Sequence, residues 1–141
     1  MKYTRDESTP LLVYKARHLL KKIIQNKLKD FDISSEQWSV LNTVYTKKGC
    51  NQITLAEILF KDGATITRIL NILENKKLVR REKSPLDKRE YLIYLTEYGY
   101  NLYYKALPVV LQAINETDSI FSDNELKEFH YLLNKLVSNL E

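Results

Sequence analysis

Apolar residues recur at helical spacing along most of the chain, which is the pattern of amphipathic helices packed on a common core. The predicted helices cover about 9–30, 36–47, 54–59, 63–75 and two stretches between Thr96 and the end of the chain. Before Thr96, the segment 90–95 is rich in aromatic and β-branched residues, as strands are. The pattern therefore predicts a mainly α fold with one small β-hairpin.

Capping residues mark the predicted helix starts. Thr9 precedes Pro10, and Pro is favoured in a first helical turn. Three pairs have the spacing of a capping box: Ser34 with Gln37, Thr54 with Glu57, and Ser122 with Glu125. Gly49 is expected to close the second helix, and Pro108 is expected to kink the fifth because it removes a backbone donor.

The fourth helix has two unlike faces. One face carries Ile66, Ile69, Leu70 and Leu73, as packing on a core requires. The opposite side is small, polar and singly charged: Ala64, Thr65, Thr67, Arg68, Asn71 and Asn75. Arg and Asn side chains can each form two hydrogen bonds with one base edge, and Ala or Thr methyl groups can contact the thymine methyl group. A solvated face would be richer in Glu and Lys. We therefore predict that Thr65, Thr67, Arg68 and Asn71 read bases in the major groove and that Ala64 permits close approach.

A basic hairpin follows this helix. Its predicted parts are a strand within 76–83, a turn at 84–86 and a strand at 90–95. A hairpin beside a groove-reading helix can place an arginine in the neighbouring minor groove, and Arg89 is the predicted residue. Asp87 lies two positions earlier, where its carboxylate can fix the direction of the guanidinium. Lys83 and Lys88 are predicted to contact phosphates.

Several motifs resemble those of the MarR family of winged-helix regulators: Leu78-Val79-Arg80-Arg81, Asp87-Lys88-Arg89, Leu95-Thr96-Glu97-Tyr98-Gly99 and, upstream, Thr65-Ile66-Thr67-Arg68. The length and the helix order also resemble that family. The resemblance implies a winged helix-turn-helix that binds duplex DNA, carried by a dimer. Two positions depart from the pattern. Lys61 stands where the family usually has an apolar residue, and Lys88 stands where it often has Arg.

Composition and charge agree with a nucleic-acid partner. The chain has 141 residues, enough for one domain, and only 3 Gly and 3 Pro, which favours long helices. Its formal net charge is +4, and residues 61–90 alone carry nine basic against five acidic side chains. Residues 1–30 are also basic, whereas residues 115–141 are acidic. Basic charge on the reading element indicates a polyanionic partner, but it does not by itself separate DNA from RNA or an anionic membrane.

Both ends of the chain carry more apolar positions than a small DNA-binding lobe can cover, and such surplus usually indicates a partner chain. We therefore predict a dimerisation lobe from about 9–31 and 97–141, and a winged helix-turn-helix lobe at about 34–95. In a two-fold dimer the two reading helices would lie roughly 34 Å apart and would match a pseudo-palindromic operator.

Other features suggest additional or alternative functions. Cys50, next to Lys47 and Lys48, would be a redox sensor if those ammonium groups lowered its pKa. Tyrosines are abundant, and Tyr14 and Tyr45 are candidates for binding a small aromatic ligand between the lobes, as is frequent in the family. His18 and His130 lack the spacing of metal ligands, so no metal site is predicted.

The sequence contains no nucleophile motif, phosphate-binding glycine loop or paired carboxylates of a catalytic site, so neither an enzyme nor a cofactor is expected. It also contains no signal peptide or membrane-spanning stretch, so a cytoplasmic protein without a membrane partner is expected. The predicted function is a homodimeric, sequence-specific repressor that a small ligand releases from DNA. The alternatives are a cysteine-gated regulator and a winged-helix module that binds protein instead of DNA.

Overall fold

The computed structural model describes residues 8–141. Its elements in chain order are α1 (Thr9–Lys27), a 3-10 turn (Lys29–Phe31), α2 (Ser35–Thr46), β1 (Cys50–Asn51), α3 (Gln52–Ile58), α4 (Gly63–Asn75), β2 (Val79–Lys83), β3 (Tyr91–Leu95), α5 (Glu97–Asp118) and α6 (Asp123–Leu140). The predicted fold class is confirmed: helices dominate, and a small antiparallel sheet forms the wing.

The capping predictions were correct at two helices and wrong at two others. Ser34 and Ser122 begin complete capping boxes with Gln37 and Glu125. Helix α1 instead has Ser8 as its N-cap, so Thr9 is already helical. Helix α3 is capped by Asn51, whose side chain accepts a hydrogen bond from the Thr54 amide. Asn is as good an N-cap as Thr, and the short strand that precedes α3 ends at Asn51, which decides where the helix begins.

The sheet has three strands in the order β1-β3-β2, all antiparallel. The sequence predicted β2 and β3 but missed β1, because two residues are too few to show an alternating pattern. Cys50 pairs with Ile93, and Val79 pairs with Leu95. The wing is therefore attached on one edge to the start of α3, the first helix of the helix-turn-helix formed by α3 and α4.

One core joins α2, α3, α4, the sheet and α5. Fully buried side chains come from each of these elements: Leu41, Val44, Leu55, Ile66, Ile69, Leu70, Leu73, Ile93 and Ala106. The four apolar residues predicted for the inner face of α4 are all among them. Because that face is fixed in the core, the opposite face of α4 points outward.

The junction between the wing and α5 requires a glycine. A Cβ atom at Gly99 would lie 2.0 Å from the backbone oxygen of Leu78. Thr96, one turn earlier, caps α5 by accepting a hydrogen bond from the Gly99 amide, and its own amide donates to the Leu78 carbonyl. The Leu-Thr-x-x-Gly motif is thus the place where α5 crosses the base of β2 at backbone contact.

The terminal helices differ from the rest of the fold. Neither α1 nor α6 contains a buried residue. Large apolar side chains on them are exposed instead: Leu12, Val13, Leu19, Leu20, Ile23, Phe129, Leu132, Val137 and Leu140. Helix α5 continues through Pro108 as one helix and buries Tyr103, Ala106, Val110 and Ala113.

Candidate nucleic-acid interface

The outer face of α4 is presented to solvent at the N-terminal half of the helix. Ala64, Thr67, Arg68 and Asn71 are exposed, and Thr65 is half-buried. The helix begins after Asp62, whose carboxylate accepts hydrogen bonds from the amide and the hydroxyl of Thr65. These bonds lower the pKa of Asp62, first through the amide and then through the hydroxyl, so the cap is ionised at neutral pH.

Two threonines that were predicted to read bases have hydroxyl groups that are already bonded within the protein. The Thr65 hydroxyl donates to Asp62 at 3.0 Å, and the Thr67 hydroxyl donates to the Gly63 carbonyl at 2.9 Å. The Gln52 amide group also donates to the Thr67 hydroxyl. Threonine methyl groups remain for contact with thymine, as only their hydroxyls are engaged. Sequence reasoning missed Gln52, since it comes from α3 and no local spacing connects it with α4.

Asn71 is likewise engaged. Its side-chain oxygen accepts a hydrogen bond from Arg81 of β2 at 3.2 Å, and Arg81 also contacts Glu74 of α4. A bidentate contact with adenine needs the oxygen as well as the amide group of an Asn side chain. In this structure Arg81 connects the wing to the reading helix through Asn71, and Arg68 is the exposed polar residue of this face with the longest reach.

The wing loop is fixed by a buried serine. Ser84 is 5% exposed, and its hydroxyl accepts hydrogen bonds from the Leu86 and Asp87 amides. The Ser84 amide donates to the Glu90 carbonyl, which closes the loop at the ends of both strands. The loop therefore extends over 84–90, beyond the predicted turn at 84–86. Its shape is set by hydrogen bonds to the Ser84 hydroxyl and between the backbone groups of Ser84 and Glu90.

Asp87 contacts Arg89 as the spacing predicted. Its Oδ1 accepts hydrogen bonds from the Arg89 amide at 3.0 Å and from Nε at 3.2 Å, and Oδ2 accepts one from Nη2 at 3.4 Å. The amide and then the guanidinium lower the pKa of Asp87. The Arg89 side chain is itself 91% exposed. The arginine is thus held in one direction while it remains open to a ligand.

Further basic side chains surround this loop. Lys83 and Lys88 are exposed, as phosphate contact would require. Arg80, on β2, lies over the Tyr94 ring at 4.8 Å and pairs with Glu82 at 2.9 Å, so it is bound within the hairpin. A cleft of about 730 Å³ between the wing and the start of α3 is bordered by both Arg81 and Arg89.

A carboxylate on α2 also contributes to this surface. Oε2 of Glu36 lies 3.7 Å from Nη2 of Arg68. Its other oxygen, Oε1, is 3.3 Å from Lys21 and 3.5 Å from Lys61. Three basic groups from different elements thus converge on one acid. Sequence analysis did not identify Glu36, since the residues that contact it are distant in sequence.

The candidate redox residue does not have the environment that the alternative requires. Cys50 is half-buried in β1, and this burial raises the pKa of its thiol. Reactive cysteines have a lowered pKa, so Lys47 and Lys48 do not provide the predicted activation. The redox-gated alternative receives no physical support from the structure.

The two candidate ligand-binding tyrosines lie in different surroundings. Tyr14 is exposed on α1, next to His18. Tyr45, on α2, stacks on Tyr103 at 4.1 Å, and its hydroxyl is 3.4 Å from that of Tyr104. Tyr45 therefore belongs to an aromatic cluster with α5, where α2 of the winged lobe meets a helix of the predicted dimerisation lobe.

Within residues 8–141, no group of three or more His, Cys, Asp or Glu side chains is placed to hold a metal ion. None of the described helices combines the length and apolar character needed to cross a bilayer.

The architecture defines a winged helix-turn-helix protein whose terminal helices α1 and α6 expose large apolar side chains. The sequence model of the MarR family matches residues 33–91. The transcriptional regulator HosA of Escherichia coli O111:H- is 30% identical over 129 residues, which cover 88% of this chain and 96% of HosA. The chain therefore belongs to the MarR family, and the resemblance inferred from its motifs is confirmed.

Solved structures agree with this assignment. MepR of S. aureus, in a complex with DNA, is 27% identical with a TM-score of 0.86, and the match covers 98% of this chain and 100% of MepR. A mutant of MarR from E. coli, complexed with operator DNA, is 25% identical with a TM-score of 0.87 and covers 96% of this chain and 99% of MarR. HosA is named as a regulator of transcription, so membership of this family indicates a regulatory and not an enzymatic protein.

Proposed function

We propose that the protein is a homodimeric repressor that binds duplex DNA at a pseudo-palindromic operator. The observation that carries the proposal is the arrangement of two arginines. Arg68 on the outer face of α4 and Arg89 on the wing are both exposed, and each has a carboxylate within 4 Å of its guanidinium. The relatives MepR and MarR have been solved with DNA, and they share this fold.

In the proposed complex, α4 enters the major groove and the wing lies over the adjacent minor groove. Arg68 reads a base edge, and the exposed Ala64 lets the helix approach closely, with the methyl groups of Thr65 and Thr67 beside it. Arg89 enters the minor groove in the direction set by Asp87. Lys83 and Lys88 neutralise phosphates, and Asn71 contributes only after it leaves Arg81.

The test of DNA binding is its salt dependence. Binding through phosphate contacts releases counterions, so log K should fall linearly with log salt. A dimer with several basic contacts per half should lose about a thousandfold in affinity between roughly 50 and 200 mM salt. The measurement is fluorescence anisotropy with labelled duplex DNA, and heparin serves as a control polyanion. A flat salt dependence, or equal affinity for heparin, would favour the protein-binding module instead.

The homodimer is proposed from the exposed apolar side chains of α1 and α6. Leu132 and Leu136 lie one turn apart on α6, and Leu132 is 52% exposed in the single chain. A second copy of the chain would cover these residues. Changing both to Asp should leave monomers, or unfolded chains, that no longer bind the operator, because burying unpaired carboxylates costs several kcal/mol. The measurement is light scattering after size-exclusion chromatography.

A matched control exists on the same helix. Asn134 and Ser138 are exposed and polar, and changing both to Asp adds the same charge to α6. This control should remain dimeric. If the Leu132 and Leu136 variant also remained dimeric and stable, the interface would have to lie elsewhere.

Release by a small aromatic ligand is a further part of the proposal. The Tyr45 cluster lies where α2 packs on α5, and a ligand that separates these rings would change how the winged lobe sits on the dimer. Phenol and benzoate are suitable probes. Either should lower operator affinity in the anisotropy assay, and Tyr45→Leu should abolish that effect. Repression itself is tested with a reporter gene that carries a duplex sequence selected by the protein from a random library.

A further inference from the structure

Glu36 occupies a position that none of the proposed DNA contacts explains. It lies in the first turn of α2, and its side chain is 31% exposed. Lys21 of α1 and Lys61 of the turn before α4 approach the same oxygen, Oε1, at 3.3 and 3.5 Å. The second oxygen, Oε2, lies 3.7 Å from Nη2 of Arg68. One carboxylate therefore joins three elements and faces an arginine of the reading helix.

The charge of Glu36 is maintained by its neighbours. Partial burial raises the pKa of this carboxyl, but hydrogen bonds and charge from Lys21 and Lys61 together outweigh the burial and lower the pKa below its ordinary value. Glu36 is consequently ionised at neutral pH. The lysines also restrain the rotation of the carboxylate, because both bind Oε1, whereas Arg68 lies nearest Oε2.

We propose that Glu36 is a positioning residue that directs Arg68 toward its base, with Lys21 and Lys61 holding the carboxylate in place. This inference rests on the proposed function, since it assigns a role in reading DNA. An unrestrained arginine loses side-chain entropy when it binds, and a restrained one loses less. Arg68 is 60% exposed, so without Glu36 it would have wide conformational freedom.

Lys61 supports the inference through its burial. Here the Lys61 side chain is only 22% exposed, and its ammonium group reaches Glu36. A lysine at a sheltered position is favourable only when a partner neutralises it. Glu36 is therefore the partner that neutralises Lys61, and Lys61 in turn restrains the Glu36 carboxylate.

Removing Glu36 should change specificity and affinity in opposite directions. Loss of orientation weakens the contact between Arg68 and its base pair. Loss of a negative charge close to the DNA-facing surface strengthens attraction to phosphates on any sequence. A residue that only stabilised the fold would lower binding to all sequences together. Discrimination between operators is thus the informative quantity.

The experiment compares Glu36→Gln with the wild-type protein on a duplex selected by the wild type from a random library, and on versions with single base-pair changes. Arg68→Ala first identifies the base pair that depends on Arg68. At that base pair, Glu36→Gln should lower discrimination by roughly tenfold, within the range of a single base contact. At other base pairs discrimination should stay the same. In an Arg68→Ala background, Glu36→Gln should lower discrimination no further.

Glu57→Gln is the matched control. Glu57 is exposed on α3 and, among the described residues, takes part in no ion pair, so this change removes the same charge without touching Arg68. It should keep wild-type discrimination. Thermal unfolding checks that Glu36→Gln folds. If it does not, Glu36→Asp keeps the charge but shortens the side chain and should show a smaller loss at the same base pair.

Two outcomes overturn the inference in different ways. If the wild type selects a duplex and the folded Glu36 variant discriminates as well as the wild type, the positioning role is wrong and the proposed function stands. The same conclusion follows if Glu36→Gln lowers discrimination equally with and without Arg68. If the wild type shows no sequence preference on duplex DNA, the proposed function and the inference are both wrong.

Discussion

Two arginines of this protein each lie beside a carboxylate, but the two carboxylates come from different parts of the chain. Arg89 is held by Asp87, two positions away in the same loop, through three hydrogen bonds of 3.0 to 3.4 Å. Arg68 faces Glu36, which belongs to another helix, at 3.7 Å and as an ion pair without a hydrogen bond. The wing arginine is therefore oriented by local chain geometry, and the helix arginine by tertiary packing.

This difference determines how independent the two arginines are. Asp87 and Arg89 form their contact inside the loop that Ser84 closes. This contact therefore does not depend on how the helices pack against one another. The pair of Glu36 and Arg68 depends on how α2 packs on α4, and through Lys21 also on α1. Because α1 belongs to the proposed dimerisation lobe, a shift of that lobe would reach Arg68 and leave Arg89 unchanged.

The largest effect is expected from a change that disturbs both arginines together. Gly99→Ala places a Cβ atom 2.0 Å from the Leu78 carbonyl oxygen, so α5 must move away from the base of the wing. Overpacking against backbone should destabilise the fold by about 3 kcal/mol or more. Thermal unfolding measures this effect. Gly63→Ala is the control, since nothing lies within 4 Å of its added Cβ and alanine favours a helix.

Arg68→Ala should have the next largest effect. It removes a base-edge donor from the major groove and should cost about 1–3 kcal/mol of operator binding, with relaxed specificity at one base pair per half-site. Anisotropy on base-substituted operators provides the measurement. If Arg68→Ala instead weakened binding to all sequences equally, Arg68 would contact phosphate and would not read a base edge in the major groove.

Arg89→Ala should have a smaller effect that depends on the operator. The attraction of an arginine to the minor groove increases where the groove is narrow. Its loss should therefore matter most on operators with A·T-rich flanks and little on G·C-rich flanks. Binding to matched operators that differ only in their flanks measures this dependence. An equal loss on both flanks would place Arg89 on phosphate, outside the groove.

Asp87→Ala should have the smallest net effect, because two contributions oppose each other. The variant leaves Arg89 unoriented, which weakens binding, and it removes a negative charge from the wing, which strengthens binding. We expect orientation to outweigh charge, so affinity should fall slightly on A·T-flanked operators. Asp87→Asn keeps an oxygen acceptor and serves as the comparison. Tighter binding by Asp87→Ala would show that Asp87 does not position Arg89.

The sequence by itself determined much of this protein, wherever the determining interactions are local. The inner face of α4 was predicted from the spacing of its apolar residues, and all four lie in the core. The capping boxes at Ser34 and Ser122 and the contact of Asp87 with Arg89 join residues two or three positions apart. The motifs also indicated the MarR family, because its pattern is made of short contiguous stretches.

Only the tertiary structure decided the contacts that join distant parts of the chain. Strand β1 is too short for a pattern and exists because β3 offers it an open edge. Asn71 and Thr67 were predicted to read bases, and in the structure Arg81 and Gln52 bond them from neighbouring elements. Glu36 has no distinguishing sequence context, and packing alone brings Lys21, Lys61 and Arg68 to it. The hydrogen-bonding groups of a side chain are known from the sequence, whereas its hydrogen-bond partners are determined only when helices and strands pack together.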